Sequence, residues 1–266
     1  MNRFTIFAKG NLDVHDTLHS LRVGGAVAWN GVNEILRERS PATVARVRHE
    51  TWTRSDALLA CDGRVPAALA GRDLPLGPYP VASQFSRAIF ETAADAYVLS
   101  IQPDVATFLF RHRRDGFLLM AYDRELWRAD DQRWLGEDFD PVGLLDADAS
   151  MANLAAIVER LRARRDAPVL VNNVSSVVPG DTVHCYAGLD ETLSTRIRRF
   201  NVALADLSQR NGISVVDVDA VVARGGADRL KLDAFHLTAE GCRRVAQETV
   251  RVLDDLGVLA DRAAAR

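Results

Sequence analysis

Short β-branched runs that alternate with longer stretches of helical periodicity constrain this chain more than any other feature. The runs are Phe4 to Ala8, Thr43 to Val47, Tyr97 to Ile101, Val169 to Val171 and Ile213 to Val218. Between them, Val27, Val32, Ile35 and Leu36 share one helical face, as do Leu154, Ile157, Val158 and Leu161, and Ile197, Phe200, Leu204 and Leu207. A last helix is expected after Thr238, a good N-cap residue, with Glu240 in its first turn and Val245, Val252 and Leu256 along its core face. Strands that are apolar throughout need cover on both faces. The order therefore predicts an α/β fold, a three-layer α/β/α sandwich around a central five-stranded, mostly parallel sheet. Such sheets bind ligands at the carboxyl ends of their strands, where the loops begin.

One stretch breaks the rhythm. Residues 105–146 are far too many for an ordinary connection, and they mix Phe117, Tyr122, Trp127, Trp134 and Phe139 with many charges. They read as an insertion serving as a lid or a homodimer contact. With no repeat or linker in sight, residues 1–266 read as a single domain carrying that insertion.

A hydrophobic fraction of 48%, a charged fraction of 26% and a net charge of -3 give no basic field to hold nucleic acid, so a small molecule is the expected partner. The arginines Arg111, Arg113 and Arg114, and Arg196, Arg198 and Arg199, could fork onto an anionic group of that molecule, although most charge runs are solvated faces. No run approaches the roughly 20 apolar residues of a membrane span, and the N-terminal stretch lacks the pattern of a secretory signal, so a cytoplasmic protein without membrane contact is expected. Cys61, Cys185 and Cys242 are widely spaced and read as reduced structural thiols. No nucleotide-binding glycine loop occurs, and no cofactor is implied.

The segment LKLDAFHLTAEGCRRVAQETVRVL carries the clearest chemistry. Asp233 stands three residues before His236, between the fifth run and the last helix. A carboxylate on the same short loop can hold one imidazole nitrogen and leave the other to move a proton. Asp233, His236 and Gly241 resemble the last block of the SGNH, or GDSL-type, hydrolase superfamily, an Asp-x-x-His followed by a Gly-containing helix start. VARVRHETWTRSDALLA, DAYVLSIQPDV and RIRRFNVALADLSQRNGISVVDVD resemble, in order, the family's blocks around its second and third strands and before its dyad. The resemblance implies the flavodoxin-like SGNH fold and chemistry on an acyl or ester bond.

The other blocks depart from the family. Where it has Gly-Asp-Ser after the first strand, this chain reads Lys9, Gly10, Asn11, Leu12, without the serine nucleophile. A looser register sets His15-Asp16-Thr17-Leu18 on that block and makes Thr17 the hydroxyl. The oxyanion-hole glycine of the second block falls near Thr51 to Ser55, where Thr53 and Arg54 are candidates for the pocket and no glycine occurs. In the third block the Gly-x-Asn match is taken as Gln102-Pro103-Asp104, an acid replacing the amide, which would repel a developing oxyanion.

The resulting expectation is a divergent enzyme of this fold, hydrolysing or transferring an acyl group. His236, Asp233, Asn11 and Asp104 are its candidate catalytic residues, and Gly10, Asp13, His15, Thr17, Thr53, Arg54 and Gln102 line its pocket. Water or a second substrate would attack in place of serine, and Lys9 is expected to be solvated. Two rivals remain: a non-catalytic ligand-binding descendant, and a metal-assisted hydrolase or lyase using Asp13, His15, Asp104 and His236.

Overall fold

The computed structural model describes residues 2–179 and 186–260. Cys185 lies outside the described residues. The central sheet holds β1 (Asn2–Lys9), β2 (Thr43–Glu50), β3 (Ala96–Ser100), β4 (Val169–Asn172) and β5 (Ser214–Val216). Their order is β5-β4-β3-β1-β2, and every neighbouring pair is parallel. The helices that bear on the argument are α1 (Leu12–Leu18), α2 (Val32–Arg39), α3 (Ser55–Ala60), α4 (Gln102–Ala106), α5 (Ala147–Arg162), α6 (Leu193–Asn211), α7 (Val218–Gly225) and α8 (Ala239–Asp255).

Alternation along each strand divides the interior into two layers. Phe4, Ile6 and Ala8 of β1, with Val98 and Leu170, face a core shared with Ile35 and Leu36 of α2 and Val245, Ala246 and Val250 of α8. Phe7, Tyr97, Leu99, Val169 and Val171 face the other way, against Leu154, Ile157 and Val158 of α5 and Ile197, Phe200 and Leu204 of α6. Each fully buried Phe, Leu, Ile or Val contributes about 1.5–3 kcal/mol over leaving it in water. Sequence periodicity therefore located both layers.

Three details differ from the sequence reading. Val27 lies in an antiparallel hairpin, Leu21–Val23 with Ala26–Trp29, and is exposed. Val218 opens α7 and does not extend β5, because Asp217 caps the helix by accepting from the Ala220 N–H. Leu256 sits just past α8 and is exposed, the core face being completed by Val252 and Leu253.

The long insertion builds a three-stranded antiparallel sheet from Leu109–His112, Leu118–Leu119 and Phe139–Val142, with a helix at Ala129–Asp138. Leu119, Trp127, Trp134, Leu135 and Phe139 form its core together with Leu69, Leu76 and Phe85 from the segment before β3. Gln84 ties the two together. Its Nε2 donates to the carbonyls of Tyr79 and Met120, and its Oε1 accepts the Met120 N–H. Among the described residues, no helix is long and apolar enough to cross a membrane.

Candidate active site at the carboxyl edge of the sheet

The chain leaves β1 for β2 on one side of the sheet and later crosses to β3 on the other, which opens a crevice at the carboxyl ends of β1 and β3. Gly10 makes the turn from β1 into α1. A Cβ there would lie 2.6 Å from Val14 Cγ2 and 3.3 Å from Ser100 Cβ, so the close approach of α1 to β3 requires glycine. Asn11 then serves as N-cap: its carbonyl accepts from the Val14 and His15 N–H groups at 3.2 and 3.0 Å. Leu12 opens the helix, half exposed. Setting Gly10-Asn11-Leu12 on Gly-Asp-Ser puts this leucine where the block has its serine.

Asp13, in the first turn of α1, lies against the end of β3. Its Oδ2 accepts from Ser100 Oγ at 2.5 Å, and its Oδ1 accepts from the Asn11 N–H at 3.1 Å. Burial raises its pKa, although the Ser100 hydroxyl and the backbone N–H groups of Val14 and Asn11 work in the opposite direction. Ser100 Oγ also accepts the Gln102 N–H at 3.0 Å. A narrow cavity opens here, lined by Asp13, Gln102, Asn172, Asn173, Ser175 and Lys231, with Phe235 and Leu237 among its apolar walls. Asn11 Oδ1, Gln102 Oε1, Asn172 Oδ1 and Ser175 Oγ are buried without a hydrogen-bond partner. Buried polar atoms are rarely left so, which makes this strand edge the candidate site.

The dyad belongs to the turn whose Ala234, Phe235 and Leu237 line that cavity. His236 Nδ1 meets Asp233 Oδ2 at 2.7 Å, and both side chains are about half exposed. Asp233 Oδ1 also accepts the N–H groups of Phe235 and His236, at 2.9 and 2.8 Å. Partial burial alone would raise the Asp233 pKa, but these N–H groups and the imidazole overcome it and bring the value down to about 2. The carboxylate thus stays ionised wherever an ordinary histidine titrates, and the imidazole keeps Nε2 unengaged by it. Lys231 fastens this loop from below. Its buried Nζ donates to the carbonyls of Ala234 at 2.9 Å and Val177 at 2.5 Å, joining the dyad turn to the loop after β4. Burial lowers its pKa to about 8, against the pull of Asp219 and Asp233.

Other candidates lie elsewhere. Asp104 is wholly buried, and its carboxylate accepts from the Ser55 N–H at 2.7 Å, Ser55 Oγ at 2.6 Å and Ser150 Oγ at 2.5 Å. It joins α3, α4 and α5, whereas Gln102, two residues before it, lines the cavity. Thr17 is buried, with its hydroxyl donated to the Asp13 carbonyl one turn back at 2.6 Å. Arg54 is also buried. It grips Asp56 with two nitrogens at 2.8 and 2.7 Å and donates its third to the carbonyls of Thr107 and Gly143, so four of its five N–H groups are engaged inside the protein. Thr53 is buried in the loop between β2 and α3. Lys9, expected in solvent, is 1% exposed and paired with Glu50 at 3.2 Å.

His15 turns to a histidine cluster rather than the cavity. Its Nδ1 meets Asp16 at 2.8 Å, and its ring stacks on His19 at 5.0 Å and meets His49 edge-on at 5.1 Å. Burial first, then His15, lowers the pKa of His49 to about 4. Among the described residues no group of three or more His, Cys, Asp or Glu side chains is arranged to hold a metal ion. Several arginines of the basic runs face carboxylates: Arg113 meets Asp140, Arg114 meets Asp115 and Arg199 meets Glu191. Ser100, Asn172, Ser175 and Lys231 escaped the sequence reading because single polar residues at element ends and in loops carry no motif.

A model of the GDSL-like lipase/acylhydrolase family matches residues 28–244. No curated protein matches the chain. Among solved structures, an α/β hydrolase called LAE5 from the metagenome of Lake Arreo, Spain, is 14% identical, with 97% of each chain covered and a TM-score of 0.53. An SGNH hydrolase so named by resemblance from Slackia heliotrinireducens is 15% identical over 95% of this chain and 100% of that one, with a TM-score of 0.51. The acetylxylan esterase Axe2 from Geobacillus stearothermophilus is 13% identical over 97% of this chain and 94% of its own, with a TM-score of 0.51. At these identities the likeness is one of fold.

Proposed function

Because this chain belongs to the GDSL-like lipase/acylhydrolase family, we propose that it hydrolyses the acyl bond of a small molecule by direct attack of water. The observation that carries this reading is the 2.7 Å pairing of His236 Nδ1 with Asp233 Oδ2 in a turn whose Ala234, Phe235 and Leu237 line a cavity together with amide side chains. His236 Nε2 takes a proton from water as the water oxygen bonds to the acyl carbon, and the carbonyl π electrons move onto oxygen. The amide groups of Asn11 and Gln102 donate to that oxyanion. The tetrahedral species then expels the alcohol oxygen, which takes the proton back from the imidazolium, with Asp233 balancing the imidazolium charge throughout.

With p-nitrophenyl acetate as substrate, His236→Ala lowers kcat/KM by about 10²–10⁴-fold, the usual contribution of a positioned general base. Thr17→Val leaves it unchanged, because the Thr17 hydroxyl is enclosed and bonded to its own helix. Full turnover by the His236 variant would remove the proposal. Leu12 at the head of α1 also fits a descendant that binds without catalysis. That second reading is favoured if the wild-type protein binds acyl compounds and turns none over.

A further inference from the structure

The cavity beside the dyad turn holds buried acceptor atoms that no donor of the described residues meets. Asn172 is 2% exposed at the end of β4, and its Oδ1 is without a partner, as is Gln102 Oε1 at the start of α4. Both residues line the cavity together with Asp13. The Asp13 carboxylate is held by neutral donors, the Ser100 hydroxyl and the N–H groups of Val14 and Asn11, and among the described residues no lysine or arginine forms an ion pair with it. Lys231, on the same wall, is turned to the carbonyls of Val177 and Ala234 and balances Asp219 and Asp233. Three residues that carry such acceptors therefore line one narrow space, and one of them is a carboxylate without a counter-ion. Burying such a charge is costly unless an opposite charge joins it.

We propose that this cavity is a subsite for a primary ammonium group on the substrate, bound by Asp13, Gln102 Oε1 and Asn172 Oδ1. A primary ammonium brings three N–H donors and no lone pair, so it can satisfy three acceptors at once. A hydroxyl brings one donor and sets its own lone pairs against the remaining acceptors. A quaternary ammonium brings charge without any N–H. The word substrate rests on the acylhydrolase reading above, and the site then selects acyl derivatives of small amino compounds, with Gln102 offering Nε2 to the oxyanion and Oε1 to the ammonium.

Calorimetric titration of the full chain at neutral pH tests this with three probes: N-(2-aminoethyl)acetamide, N-(2-hydroxyethyl)acetamide and the trimethylammonium counterpart of the first. The aminoethyl compound is expected to bind at least about tenfold more tightly than either of the others, the scale of a charge-assisted hydrogen bond. Asp13→Asn and Asn172→Leu are each expected to erase that preference. Equal affinities, a preference for the hydroxyl or trimethylammonium probe, or no binding of the aminoethyl probe by the wild-type protein overturns the subsite without relying on either variant to fold. Turnover of p-nitrophenyl acetate separates the two proposals. An active protein without ammonium preference loses only the subsite, and a protein that prefers the ammonium probe but hydrolyses no ester loses only the acylhydrolase reading.

Discussion

Asp104 and Asp233 show how far one residue type can be driven apart by its surroundings. Asp233 is half exposed and held by backbone N–H groups, whereas Asp104 is enclosed, and burial raises its pKa from 3.8 to about 6 despite the hydroxyls of Ser150 and Ser55. The folded protein thus holds the Asp104 proton more tightly than the unfolded chain does. Its contribution to stability is fully present below pH 3.8 and is lost as pH rises towards 6, a swing of about 3 kcal/mol from this group. In Asp104→Asn the amide can keep the Ser55 N–H on its oxygen and donate to the hydroxyls of Ser55 and Ser150. Urea unfolding at a series of pH values should show that variant losing this part of the wild-type pH dependence. Sequence spacing alone could not separate the two aspartates. Both stand beyond strand ends, and only the serines of α3 and α5, distant in the chain, determine that Asp104 is an internal anchor.

At the scale of elements, the dyad turn is fixed by how closely α8 approaches Ala227–Leu230. A Cβ on Gly241 would sit 2.3 Å from the Leu230 carbonyl oxygen, so the first turn of α8 can pack there only without a side chain. Thr238 caps the same turn by accepting the Gly241 N–H at 3.1 Å. Gly241→Ala is expected to cost about 1–3 kcal/mol through overpacking and to lower turnover by shifting the turn that carries Asp233 and His236, both measurable by urea unfolding and p-nitrophenyl acetate kinetics. This turn was legible in the sequence, because Asp-x-x-His, the N-cap and the glycine all fall within a few residues. The hairpin before α2 was legible too and was misread. Gly24 and Gly25, at φ +58 and +85, are a two-residue turn between short strands, a stronger signal than the coincidence that set Val27 on the helical spacing of α2.

Across the whole molecule, the five parallel strands and both core layers follow from periodicity, while the site is assembled from residues that only the topology brings together. Asp13, Gln102, Asn172 and Lys231 belong to four separate segments, and nothing local relates them. The insertion belongs to the same scale. Tyr122 within it packs on Tyr79 at 5.4 Å, Tyr79 lies within the electrostatic reach of Asp13, and Gln84 joins the two segments. Gln84→Ala should raise amide hydrogen exchange in both the 79–85 and 118–120 segments together while leaving β1 and β3 protected, as expected if they open as one unit. Exchange confined to one of the segments would show that they open independently.

Leu12 has a kinetic corollary on the hydrolytic reading. A side chain with no lone pair at the head of α1 gives an acyl group nowhere to rest between the departure of the alcohol and the release of the acid. No covalent acyl-enzyme then separates the two products, so colour from a nitrophenyl ester grows linearly from the first turnover, and an added alcohol finds no acylated protein to intercept.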